Sequence, residues 1–88
     1  MKTFKLLPID GRKSLSNQHV NQYESEGETF SDLISYTTRV AYYNHTTNKM
    51  TVHGYYSPTT ARHINAFLDF YGFNTCSKSE LENYNNIN

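Results

Sequence analysis

Ser57, Thr59, Thr60, Arg62 and His63 crowd one short stretch of the chain. Hydroxyls, a guanidinium and an imidazole on the first turns of a helix can converge on a phosphate or carboxylate. The free backbone N–H groups at a helix start already favour an anion there. The plainer reading is a capped helix, with Arg62 in solvent and His63 bonded to a neighbouring strand. Hydroxyl caps recur at helix starts generally, so the plainer reading leads. Arg62 stands two turns before Asp69 on the same helical face, beyond the spacing of an ordinary intrahelical pair.

An enzyme centred on His63 would need a nucleophile or metal ligands around it. Ser57, Asp10 and Cys76 are available, but their spacing matches no catalytic motif. His19, His45, His53 and His63 lack any HExxH-like ligand spacing, and soft ligands are scarce. No catalytic residue, no metal and no cofactor is therefore assigned. Arg12 and Lys13, after an Asp10-Gly11 turn, form a second set. They could touch a nucleic-acid backbone, with Arg39, Tyr43 and Tyr55 as stacking partners on a sheet face. Against this stands a loop locked by Asp10 and Arg12, with tyrosines merely covering the sheet. No RNP-like or helix-turn-helix signature supports the sharper version. Eight basic and eight acidic residues cancel, which disfavours both a non-specific nucleic-acid binder and an acidic DNA mimic.

The elements that position these residues belong to a chain of 88 residues, enough for one domain and one core. Mean hydropathy is −0.74, yet eight Tyr and five Phe can each bury roughly 150–250 Å² and hold a small core together. One cysteine, Cys76, excludes an internal disulfide and reads as a half-buried filler. No run of about eighteen apolar residues and no secretory leader is visible, so no membrane role and a cytoplasmic location are expected.

Phe4 and Leu6 point inward from an opening strand over 3–7, which Pro8 to Gly11 ends. His19 to Tyr23 reads as a short strand, and 24–28 as a charged turn. Residues 33–43 alternate as one strand, with Ile34, Tyr36, Thr38, Val40 and Tyr42 on one face. A turn over 44–49 returns the chain through 50–56, with Met50, Val52 and Tyr56 in phase. Ser57 caps a helix with Pro58 in its first turn. Ala61, Ile64, Phe67, Leu68 and Tyr71 share an arc of about 120°. Arg62, Asn65, Ala66 and Asp69 lie opposite, and His63 and Phe70 sit on the boundary. Gly72 stops the helix. Ser77 to Glu80 is a capping box that opens a short second helix. The expectation is a single α+β domain over 1–84 with a frayed tail over 85–88. A three- or four-stranded antiparallel sheet is packed by one main helix, about 58–71, plus a short C-terminal helix.

Tyr42 and Tyr43 must point to opposite sheet faces, as must Tyr55 and Tyr56. A second aromatic face on so small a protein suggests a partner or a homodimer, because Tyr and Arg are favoured anchors.

Three segments carry a resemblance: 7–14 (LPIDGRKS), 35–41 (SYTTRVA) and 54–68 (GYYSPTTARHINAFL). They resemble a family of small proteins of phages, prophages and other mobile elements of low-GC bacteria. Its members show PIDxRKS, SYxTxV and GYSxTTxRHINxFL motifs. The resemblance implies a mobile-element origin and a small α+β domain, with no established chemistry. Together with the absence of a catalytic constellation, it suggests a non-enzymatic phage accessory protein. Its partner would be a host protein or protein–nucleic acid complex, as for an anti-CRISPR-like inhibitor of an antiviral defence system. A small nucleic-acid-binding module is the alternative, and a His63-dependent enzyme a distant third.

Overall fold

A computed structural model describes residues 1–9, 15–54 and 56–87. Among these residues five strands run in sequence, β1 (Lys2–Phe4), β2 (Gln18–Ser25), β3 (Glu28–Ser35), β4 (Thr38–Asn44) and β5 (Lys49–Val52). Three helices follow, α1 (Pro58–Phe70), α2 (Lys78–Glu82) and α3 (Tyr84–Ile87). The strands form one antiparallel meander in chain order, so the sheet has five strands rather than three or four.

The additional pairing comes from β2 and β3, which meet across Glu26 and Gly27 with φ of 51° and 82°. Two consecutive positive φ values make the tight turn whose twist suits a hairpin, and glycine takes one of them without strain. Residues 33–43 do not form one strand. Tyr36 has φ 58° and, with Thr37, turns β3 back into β4, while its N–H donates to the Asn17 carbonyl at 2.7 Å. A bulge between Leu33 and Ile34 shifts the register, so Val40 and Ala41 are both buried despite being neighbours. The expected return strand over 50–56 stops at Val52.

One face of the sheet carries Val20, Leu33, Ala41, Tyr43, Met50 and Val52 into the core. Ile64, Phe67 and Leu68 of α1 and Leu81 of α2 pack into that same core. The Ser57 hydroxyl accepts from the Thr60 N–H, so α1 begins as its cap residue predicts. Gly72, at φ 83°, ends it, and the Phe73 N–H returns to the Leu68 carbonyl at 2.8 Å. Three helix positions differ from expectation. Ala66 and His63 are buried, whereas Phe70 is 57% exposed.

Three side-chain carboxamides each pair with a peptide in both directions. Gln18 Oε1 accepts from Leu6 N–H, and its Nε2 donates to the Leu6 and Leu15 carbonyls. Asn65 brackets Cys76 in the same way, and Asn85 brackets Val52 on the outer edge of β5. Asn85, where a frayed tail is expected to begin, is held by these two bonds. It lies in α3, with its side chain 3.1 Å from Val52 N and 2.7 Å from Val52 O.

Candidate functional site

The stretch around the start of α1 divides into an outward and an inward set. Thr59 and Arg62 are exposed, while Thr60 and His63 turn into the core. His63 is 0% exposed. Its Nδ1 lies 2.8 Å from Ser35 Oγ, which lies 2.9 Å from Thr60 Oγ1. This triplet ties the first turns of α1 to the end of β3. Arg62 and His63 thus leave the helix in different directions, and the structure does not bring them to a common anion. A serine hydroxyl against an imidazole has the composition of a nucleophile and its base, but Ser35 and His63 are both sealed beneath α1. Burial holds the His63 ring below its ordinary value of 6.5, and the Arg62 charge adds to this. A Ser16 backbone group opposes both, and Nε2 has no hydrogen-bond partner among the described residues.

A second polar thread runs under the far end of α1. Tyr71 Oη–H donates to Ser31 Oγ at 2.8 Å, and Ser31 lies 2.7 Å from His45 Nε2. Tyr43 was expected on a partner-facing surface. It sits instead on the covered face, its ring stacked 4.7 Å from Tyr71 and its hydroxyl donating to Asn48 Oδ1. The β5 hairpin and the end of α1 together enclose it. Burial depresses the His45 pKa as it does that of His63.

The opposite face of the sheet carries the outward aromatics. Tyr23 and Phe30 are register partners and stack at 5.6 Å. Tyr23 Oη–H donates to Asp32 Oδ1 at 3.1 Å. Arg39 lies 3.8 Å from that carboxylate and 4.7 Å above the Tyr42 ring, which stands 5.7 Å from His53. Partial burial, then the Asp32 charge and hydrogen bond, raise the Tyr23 pKa. The phenol therefore remains a donor to Asp32. Of the expected surface residues only Arg39 belongs to this cluster. Arg12, Lys13 and Tyr55 lie outside the described residues.

Tyr23, Phe30, Asp32 and Tyr42 were missed as site residues. The Glu26-Gly27 dipeptide held the signal. Counting outward from a two-residue turn pairs 25 with 28, 23 with 30 and 21 with 32, which places Tyr23, Phe30 and Asp32 on one face.

Among the described residues, no three His, Cys, Asp or Glu side chains group as metal ligands would, and no helix is long and apolar enough to cross a membrane. Residues 4–83 match the family of unknown function DUF8033. The chain belongs to that family. No curated protein and no solved structure matches it. DUF8033 membership thus joins this fold to a family of unknown function.

Proposed function

We propose that this protein acts by binding a macromolecule through the open face of its sheet. The observation that carries this is the Tyr23–Phe30–Asp32–Arg39–Tyr42 cluster on the face opposite the helices. Flat aromatic surface around a fixed charge pair suits a protein partner. The rings supply contact area at little entropic cost, and Arg39 and Asp32 offer directional groups. The sealing of Ser35 and His63 away from solvent supports binding over catalysis. The motif resemblance extends this reading to an accessory protein of a phage or mobile element that engages a host protein, including a component of an antiviral defence system.

Nucleic acid fits the same face less well. Asp32 sits at its centre and already occupies Arg39, so a phosphate would meet a carboxylate.

The test compares wild-type and Tyr42→Ala protein as baits in bacterial host lysate, with cross-linking and mass spectrometry. A stoichiometric protein partner whose cross-links map to β2, β3 and β4, and which is lost with Tyr42→Ala, is the expected result. Equal capture by the variant would overturn the assignment of this face. A salt-sensitive shift of oligonucleotides with no protein partner would replace it with the nucleic-acid reading.

A further inference from the structure

We infer that the solvent-facing side of α1 is a self-association surface on which two copies pair with their α1 helices antiparallel. The inference is independent of the open sheet face, because α1 separates the two surfaces across the thickness of the molecule.

The outer side of α1 carries an apolar strip between two opposite charges. Phe70 is 57% exposed and rests against Phe4 at a centroid distance of 5.3 Å. Leu7, at 84%, and Ile9, at 51%, stand beside it. Pro8 and Ile9 flank two adjoining grooves along the helix. One, about 290 Å³, is shared with Lys5, Ala66, Asp69 and Phe70, and the other with Arg62 and Asn65. Large apolar side chains this exposed and this close together mark a surface that is covered in use.

The charges indicate what covers it. Arg62 and Asp69 are both exposed, and neither has an ion-pair partner among the described residues. They lie seven residues apart on one side of α1, about 10.5 Å along the axis. A two-fold interface brings residue i of one copy to residue j of the other and j to i. With a dyad between Asn65 and Ala66, an antiparallel partner places its Asp69 opposite Arg62 and its Arg62 opposite Asp69. Two Arg62–Asp69 pairs form, one at each end, and the Phe70, Ile9 and Leu7 strips close over each other. A parallel arrangement would set Arg62 against Arg62, so the charge order selects the antiparallel one.

Sedimentation equilibrium of the intact chain, from micromolar to near-millimolar concentration, tests this. The wild type is expected to reach twice the 10.2 kDa chain mass. Arg62→Asp and Asp69→Arg each create two like-charge contacts per dimer, and each is expected to weaken association by about tenfold or more. The double variant R62D/D69R restores both pairs with their signs exchanged and is expected to recover the wild-type dissociation constant. Circular dichroism verifies that the variants, changed only at exposed positions, remain folded. A chain that sediments as one 10.2 kDa species throughout, a dimer indifferent to either single swap, or a double swap that fails to recover would each overturn the inference.

Discussion

His63 Nδ1 and Ser35 Oγ lie 2.8 Å apart with both side chains sealed from solvent. The contact joins the second turn of α1 to the last residue of β3, far apart in sequence. Ser35 Oγ meets both Thr60 Oγ1 and the imidazole, so it links the two helix residues. This pair is thus a structural bolt, and its removal is felt throughout the fold.

His63→Ala combines a cavity with a Ser35 hydroxyl that loses a buried partner. Losses of this kind together cost roughly 2–5 kcal/mol, a large part of the stability of so small a domain. Urea unfolding followed by circular dichroism measures it. A loss under about 0.5 kcal/mol, the size of a surface change, would contradict the bolt.

Two imidazoles, the buried His63 and the half-buried His45, set a pH dependence. Burial lowers both His45 and His63 below the ordinary value of 6.5, so the unfolded chain binds their protons more readily than the folded one. Stability is then complete above pH 6.5 and falls as the pH drops from there toward the folded-state values. In the Ser31 thread, a protonated His45 must donate toward an oxygen that already accepts from Tyr71, which strands the Ser31 proton. Glu80 is lowered from 4.5 by the Ser77 backbone N–H and then by the Ser77 hydroxyl, so its effect lies in a separate, more acidic window. Thermal melts between pH 8 and pH 5 should show the midpoint declining below pH 6.5, and His45→Gln should reduce the slope. A flat profile over that interval would count against neutral buried rings.

Tyr36 turns the chain with φ 58°. Left-handed backbone costs an L residue roughly 1–2 kcal/mol, more for a β-branched side chain than for glycine. Tyr36→Gly is therefore expected to be more stable than Tyr36→Val by about that amount, although valine is the better strand former. The reverse order in denaturant midpoints would mean that residues 35–38 are not a turn.

Tyr36 also shows why part of the architecture was hidden in the sequence. Tyr and Thr at 36 and 37 suit a strand, and nothing local announces a turn. The tertiary pairing of Ser35 with Thr38 decides it. β2 was underestimated for a related reason, since its inward positions include the polar Gln18 and the half-buried Gln22 beside only one aliphatic residue, Val20. Gln18 is admitted because the peptides of Leu6 and Leu15 satisfy its amide, a compensation that alternation patterns do not encode. By contrast α1 was legible from Ser57, Pro58 and Gly72, because a cap, a fixed φ and a glycine stop act within a few residues. The candidate site divides along the same line. Two-faced strands implied that one of Tyr42 and Tyr43 faces outward, but Tyr43 was expected there and the partners on β2 and β3 were missed. The phase of β4 depends on the bulge opposite Leu33 and Ile34.

The Asn85 bracket on Val52 bears on how the molecule behaves in a crowded cell. A border strand offers unpaired amides to any passing chain, and such borders seed fibrils. One carboxamide occupies both groups that Val52 would otherwise offer, so that border is blocked at its end, while the other border, β1, spans three residues. The Asn85 side chain thus acts as a stopper, and Asn85→Ala, which keeps the core residue Tyr84, is expected to leave the monomer folded but prone to stack.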